Sequence, residues 1–375
     1  MNPSLGIEVV RDEASLEPYR RDASIFTVTP HDVYYPKNEG DVVALVAECA
    51  AQRTAGNIVS LTVRAGGTCM SGGPLTTGSV IDMTRHMHEV TIDPVAQTAT
   101  VQMGAYFRDI EDKAKEHGLM FAAYPSSHRL CGIGGMIGNN ASGEKSLRNG
   151  ATSDNVVSLR VVLADGSVLV VERKAQGEAK HPVEHKAIEL ALRYGDSFKA
   201  ACGDVKKAAS GYRLEKVIEG NDFSLVPLMV GAQGTLGIVT EAVLRLVPIP
   251  EHVSLLAISA ESLEDVSHII TIINAHHPEG VETFDINTFD QARVHLTESA
   301  ERFAPYTAPD AKLFVLAQFS EATASETEVQ ALHCEEELMR HGYFVQAVQD
   351  ADAVAAAWDV RRHSFLLMRD YNEAG

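Results

Sequence analysis

The residues best placed to do chemistry in this chain are glycines. The stretch RAGGTCMSGG, Arg64 to Gly73, follows a β-branched run from Ile58 to Val63 and carries no side chain bulky enough to shield its backbone. Gly66, Gly67, Gly72 and Gly73 can take positive φ and let a ligand approach the main chain, while Thr68 and Ser71 add hydroxyl donors. Such a row of exposed amides suits a diphosphate and points to a nucleotide cofactor. Neither common phosphate fingerprint is present: GxxxxGK[ST] needs a lysine that is missing, and the GxGxxG spacing does not occur here. Alone, the stretch also reads as a plain turn between two strands.

Two further stretches share this small-residue character. YPSSHRLCGIGGMIGNNASGEKSLRNG, Tyr124 to Gly150, is dominated by Gly, Ser and Asn and cannot make much core. A loop of that length is uncommon inside a compact domain unless it is disordered or binds something, and the embedded Ile133, Met136, Ile137 and Ala141 favour binding. In GAQGTLGIVTEAVLRLVPIP, Gly231 to Pro250, glycines at three-residue intervals run into an alternating strand carrying Val239, Ala242, Leu244 and Leu246. Pro248 and Pro250 end that strand and read as a domain boundary.

The elements that must position these stretches follow from periodicity. A polar lead-in, 1–30, precedes a short strand at Val33 to Tyr35. A helix from Asn38 to Gln52 follows, with Asn38 as cap, Glu39 and Asp41 in its first turn, and Val42, Leu45, Val46 and Cys49 on one face. Strands are expected at Ser79 to Met83, His88 to Ile92 and Thr98 to Met103, then a helix from Tyr106 to His117 ended by Gly118. Asn155 to Leu163 and Val168 to Glu172, joined by Ala164-Asp165-Gly166-Ser167, form a hairpin. A helix from Glu184 to Ala201 leads into a loop holding Ser210-Gly211-Tyr212. Beyond Pro250 the order is β-α-β-β-α-β, which resembles a ferredoxin-like sheet with helices on one face. A last helix starts near Asp352 and carries Trp358, Arg361 and Arg362. The domains are therefore a lead-in at 1–30, a glycine-loop domain at 31–250 and a smaller domain at 251–375.

Composition narrows the partners. The chain has 375 residues, enough for two or three cores, and its 32 basic against 51 acidic residues give a net charge of -19. That balance repels nucleic acid and anionic lipid. No apolar run approaches the roughly 20 residues that span a bilayer, so a cytoplasmic protein is expected, touching a membrane only through a partner. The five cysteines are scattered, odd in number and never spaced as CxxC, which argues against disulfides, structural zinc or an iron–sulfur cluster. His86, His88, His276 and His277 have no metal-binding spacing, and no metal site is expected.

The three small-residue stretches occur in one order together with DVYYP at Asp32 to Pro36, VVLADGS at Val161 to Ser167, SGYRLEK at Ser210 to Lys216 and WDVR at Trp358 to Arg361. From about Asp22 to Pro250 the chain resembles the vanillyl-alcohol-oxidase, or PCMH-type, FAD-binding fold. Within it the chain looks most like the glycolate oxidase, D-lactate dehydrogenase and D-2-hydroxyglutarate dehydrogenase branch. The resemblance implies an α+β FAD-binding domain of two α+β subdomains plus a ferredoxin-like α/β substrate (cap) domain. By that resemblance Val63, Arg64, Ala65, Gly66, Gly67, Thr68, Cys69, Met70 and Ser71 would wrap the FAD diphosphate. Pro125, Ser126, Ser127, Cys131, Gly132, Gly134, Gly135, Asn139, Asn140, Ala141 and Ser142 would hold more of the cofactor, with Gln233, Gly234, Ile238 and Val239. Ala65, Gln233 and Asn149 depart from the usual glycine, glutamate and aromatic residue. Thr68 stands where some members carry a flavin-bonded histidine, and Cys131 lies too near Gly134-Gly135 to match the cysteinyl link, so non-covalent FAD is implied.

Oxidising a 2-hydroxy acid takes a hydride acceptor, a base for the hydroxyl proton and a cation for the carboxylate. Arg361 in WDVR resembles the family's carboxylate-binding arginine, and it also reads as a solvated arginine on an amphipathic helix. The base is unassigned, with His128 and His363 the histidines nearest the matched segments. The family's C-terminal histidine motif is not matched, so the chain is expected to be either shortened or incomplete, binding FAD with negligible turnover. The functions to separate are an FAD-dependent 2-hydroxyacid dehydrogenase, a sugar lactone or alcohol oxidase, and a non-catalytic FAD-binding subunit. The dehydrogenase would pass electrons to a quinone, a flavoprotein or an iron–sulfur partner.

Overall fold

A computed structural model describes residues 5–202 and 211–363, so Ser210 of SGYRLEK and everything after His363 lie outside the described residues. The chain divides into two compact units, Met1–Gly143 with Gly150–Pro248, and Glu144–Asn149 with Ile249–Gly375.

The first unit holds two main sheets. In the smaller, the strands run in the order Glu8–Val10, Asp32–Tyr35, Ser79–Asp82, Leu61–Arg64. The last two strands pair in parallel with Arg64 opposite Asp82. The lead-in is thus part of the sheet, since Glu8–Val10 adds an antiparallel edge against Asp32–Tyr35. The strand before the glycine loop is shorter than its β-branched run: Ile58 is fully exposed and pairing begins at Leu61. The helix Glu39–Thr54 starts at Asn38, whose side chain accepts from the Asp41 amide, and its Val42, Leu45 and Val46 are buried.

The larger sheet is antiparallel throughout, ordered Val90–Asp93, Thr98–Gln102, Ile238–Arg245, Val156–Val162, Val168–Glu172. Its central strand buries Ile238, Thr240, Ala242 and Leu244. Val239, expected on the apolar face, is only half-buried, because the strand alternates regularly and an odd-numbered residue falls on the face opposite Ala242 and Leu244.

The long Gly/Ser/Asn stretch is not one open loop. It contains the helices Ile133–Asn139 and Ser146–Asn149. Ile133, Met136 and Ile137 are at most 2% exposed and pack in the core, and of the three Ile137 also lines the cleft described below. Glycine makes this possible: a Cβ on Gly134 would sit 2.7 Å from the Met103 carbonyl oxygen, so the bare helix can lie against that strand end. The helix stops at Asn140, which takes the left-handed conformation at φ 48°.

In the second unit four strands form an antiparallel sheet ordered Gly280–Asp285, Leu313–Phe319, Ser254–Ala260, Phe344–Val348. This is the ferredoxin-like order, but helices cover both faces. Leu256, Ile258, Val315 and Ala317 pack with Ile269, Ile273, Cys334 and Leu338 of the helices Leu263–Ala275 and Ala324–Arg340. The alternate residues Leu255, Ala257, Phe314 and Leu316 pack against Phe289, Phe303 and Trp358. Two of those side chains come from the helices Ile286–His295 and Thr297–Phe303, which the β-α-β-β-α-β reading left out between its second and third strands. The excursion Glu144–Asn149 is pinned within this unit. Lys145 Nζ lies 2.8 Å from Oε2 of the buried Glu279. Arg148 donates to the carbonyls of Ser320 and His277 and to Glu321.

Candidate functional site

The glycine loop leaves the parallel sheet at Arg64 and borders an open cleft inside the first unit. Val63 to Cys69 all line it, joined by Gly134, Gly135 and Asn139 of the short helix and by Gln233, Gly234, Ile238 and Val239 at the start of the central strand. Three stretches far apart in sequence thus meet at one surface. Met70, Ser71, Pro125, Ser126, Ser127, Cys131, Gly132, Asn140, Ala141 and Ser142 are not among the lining residues. Several of these hold the lining in place instead. Ala141 accepts from the Thr152 amide and hydroxyl, Asn140 Oδ1 from the Ser153 amide, and Ser127 from the amides of Leu130 and Cys131.

Sequence reading missed Gly138, which glycine spacing could have found, whereas Gly237 falls within the stretch Gln233 to Val239 that the resemblance assigns to the cofactor. It also missed Met83, Met103 and Met229, three buried methionines in the cleft wall that carried no local signal.

Backbone close approach shapes the cleft. A Cβ on Gly66 would lie 2.5 Å from the Leu130 carbonyl oxygen and 2.9 Å from the Gly132 nitrogen, so the loop presses directly on the segment before the short helix. On the other walls Gly135 and Gly234 have nothing within 4 Å of where a Cβ would be, which leaves bare backbone facing open space. Gln233, at φ 51°, donates through its side chain to Asn139 Oδ1 at 3.0 Å, joining two of the walls.

The lining is electrostatically selective. In a chain of net charge -19, none of the described lining residues is Asp or Glu, and Arg64 is the one cation among them. Arg64 is 9% exposed, and burial pulls its guanidinium below the ordinary value while Asp22 and Asp82 oppose that effect. Bare amides, hydroxyl donors and a wall without carboxylates fit a bound diphosphate, and hence a dinucleotide cofactor such as FAD.

The thiols differ sharply. Burial would raise Cys69, but the Ser71 hydroxyl, the amides of Ser71 and Gly73 and the Asn139 side chain outweigh it and lower the thiol below its usual value. Cys131, 3% exposed, is pushed up to about 12 by burial and is protonated at neutral pH.

Arg361 lies in the second unit, on the helix Ala351–Arg362, and its Nε and Nη2 lie 3.0 and 2.6 Å from Glu282 Oε2. Arg362 pairs side-on with both oxygens of Glu144, Nε to Oε2 at 3.0 Å and Nη2 to Oε1 at 2.6 Å. His363 Nδ1 is 2.9 Å from the Asp359 carbonyl, and His128 packs on the rings of Tyr124 and Phe107 outside the cleft lining. His86 pairs with Glu8, and His276 with Glu337. Among the described residues no group of three or more His, Cys, Asp or Glu could hold a metal ion. Among them, too, no helix is long and apolar enough to cross a membrane.

Comparison with known proteins agrees with this geometry. Residues 30–172 match the family described as FAD binding domain, and residues 249–374 that of FAD linked oxidases, C-terminal domain. The D-2-hydroxyglutarate dehydrogenase of Pseudomonas putida is 29% identical over 74% of this chain and 28% of its own length. The glycolate oxidase subunit GlcD of Bacillus subtilis is 30% identical over 72% of this chain and 50% of its own. The D-lactate dehydrogenase of Archaeoglobus fulgidus is 27% identical over 84% and 62%. The chain thus spans under a third of the first relative and half of the second. A solved structure of alkyldihydroxyacetonephosphate synthase shares the fold, with a TM-score of 0.67 and 17% identity over 99% of this chain and 66% of that one. The chain belongs to the PCMH-type FAD-linked oxidase family, alongside the D-2-hydroxyglutarate dehydrogenases, glycolate oxidase subunits and D-lactate dehydrogenases, and FAD is the cofactor that this membership indicates.

Proposed function

We propose that this chain binds FAD non-covalently in the glycine-lined cleft and serves an FAD-dependent dehydrogenase that oxidises a small D-2-hydroxy acid of the D-lactate, glycolate or D-2-hydroxyglutarate class. The observation that carries the reading is the convergence of Val63 to Cys69, Gly134, Gly135, Asn139 and Gln233 to Val239 on a cleft whose described walls hold bare amides and no carboxylate. In this reading residues 31–250 form the FAD-binding domain and 251–375 the substrate (cap) domain. When bound, FAD supplies a hydride acceptor at flavin N5. The chain's own part is to hold the diphosphate on main-chain amides and to keep water from the buried methionine wall. The protonated, buried Cys131 and the weakly nucleophilic Thr68 support a non-covalent cofactor. Arg361 is the proposed carboxylate clamp. Because Glu282 already holds its guanidinium, a substrate carboxylate there must share or displace that partner. The reduced cofactor would be reoxidised by a quinone, a flavoprotein or an iron–sulfur partner, in the cytoplasm.

Anaerobic addition of D-lactate, glycolate or D-2-hydroxyglutarate to the flavin-loaded protein tests this reading. Bleaching of the visible flavin bands by one of them supports it. Bleaching only by sugars would replace it with a lactone or alcohol oxidase. Stable FAD with no bleaching would leave an FAD-binding subunit, the outcome that the existing Arg361–Glu282 pair favours.

A further inference from the structure

We infer that residues 17–26, a segment preceding the matched FAD-binding region, form a clasp that holds the glycine loop in its ligand-ready shape, with Arg64 as the positioning residue that joins them. Arg64 ends the strand that feeds the loop, yet its side chain turns back toward the lead-in. Its guanidinium donates to the carbonyls of Pro18 at 3.2 Å, Tyr19 at 3.4 Å and Arg21 at 2.7 Å, and it lies 5.4 Å from the centre of the Tyr19 ring. Three main-chain acceptors on one buried guanidinium fix its plane, because the fork of donors is rigid.

The same guanidinium lies against the loop. A Cβ on Gly67 would be 2.5 Å from Arg64 Nη2, so the loop crosses the cation at this glycine, whose φ is 67°. The far end of the loop rests on the same segment. A Cβ on Gly72, at φ 78°, would be 3.0 Å from the Phe26 ring and 3.7 Å from Ser24 Oγ. Of the loop's two left-handed glycines, Gly72 is therefore seated on lead-in residues directly and Gly67 through the guanidinium that the lead-in holds.

The lead-in is itself anchored to the sheet. Tyr19 donates to Asp82 Oδ2 at 2.6 Å and meets the Tyr35 hydroxyl at 3.1 Å, while Asp82 Oδ1 accepts from the Thr84 amide and hydroxyl. Asp82 sits opposite Arg64 in the parallel pair, so cation, carboxylate and clasp close a ring around the strand ends from which the loop departs. A loop of glycines has many backbone states to lose on binding, and seating it beforehand removes that cost from cofactor binding. Arg64 also sets a desolvated positive charge beside the amides proposed to meet the diphosphate.

This inference rests on the cleft reading, and titration of flavin-free protein with FAD separates the two. Affinity is read from flavin fluorescence, and the environment of the diphosphate from the phosphorus resonances of bound FAD. Arg64→Lys is expected to weaken FAD binding about tenfold or more. Phe26→Ala, at a residue 53% exposed, is expected to weaken it several-fold. Both should shift the phosphorus resonances, and Phe26→Ala should do so while the melting temperature of the flavin-free protein stays near that of the parent. Parent affinity and unshifted resonances in both variants would overturn the clasp. Should Arg64→Lys not fold, Phe26→Ala decides by the same readouts. Wild-type protein that binds no FAD, or Gly67→Val protein that still does, would overturn the cleft reading and the clasp with it.

Discussion

Gly67 joins backbone conformation to cofactor binding in one residue. Its φ of 67° and the guanidinium where a Cβ would go leave no room for a branched side chain. Holding valine in that left-handed region costs about 1–3 kcal/mol. Gly67→Val should therefore melt lower but still fold, and it should lose FAD entirely, as shown by the absorbance of the desalted protein. Cys69 gives a second prediction at this scale. Its lowered thiol lines the cleft, whereas burial pushes Cys131 and Cys334 up to about 12. Iodoacetamide near neutral pH should label Cys69 well ahead of those two, and saturating FAD should protect it; peptide mass mapping reads both. The glycines of this site were legible because only they permit such backbone. Met83, Met103 and Met229 were not, since a methionine in a cleft wall and one in any other core look alike in sequence.

Elements with local instructions were read closely. Asn38 caps Glu39–Thr54, Gly118 ends the helix Phe107–Lys115 with φ 68°, and Ser262 with Asp265 forms a capping box for Leu263–Ala275. What was missed depended on partners distant in sequence. Nothing local marks the helices Ile286–His295 and Thr297–Phe303 strongly, yet Phe289 and Phe303 pack edge-on at 5.6 Å in an aromatic cluster with Phe284 and Phe314. Phe289→Ala should cost about 3–5 kcal/mol, measured by denaturant unfolding. Glu39 at the first turn of its helix is tied to Arg160 at 2.7 and 3.1 Å and to the Thr240 hydroxyl at 2.7 Å. The Arg160 bonds, opposed by burial and helped by Thr240, lower its carboxyl below the ordinary value of 4.5. A depressed acid stabilises the fold above its unfolded value and loses that contribution as pH falls through its folded value. The stability gap between the parent and Glu39→Gln should therefore be full near pH 6 and should shrink steadily below 4.5, by urea unfolding across pH.

At the scale of the whole molecule, a net charge of -19 faces an anionic cofactor whose described binding walls carry no acid. Long-range repulsion then opposes the encounter while the cleft itself does not. Raising salt from roughly 20 to 200 mM, which shortens the screening length severalfold, should speed FAD association. Stopped-flow fluorescence would show it, and slower association would mean that attraction by Arg64 dominates. The two units meet in the chain between Pro248 and Ile249, beside the prolines at 248 and 250. The exception is the six-residue excursion Glu144–Asn149, whose identity as part of the second unit depends on Lys145 finding the buried Glu279 and on Arg148 finding Ser320, His277 and Glu321. Such pairing across 134 residues has no local signature. It does decide how the chain can be cut. A fragment starting at Ile249 would keep Glu279 without its lysine, and breaking a buried ion pair costs about 3–5 kcal/mol. That fragment should fold poorly alone and recover when a synthetic peptide spanning Glu144–Asn149 is supplied in trans, with the emission of Trp358, the only tryptophan in the chain, reporting the complementation.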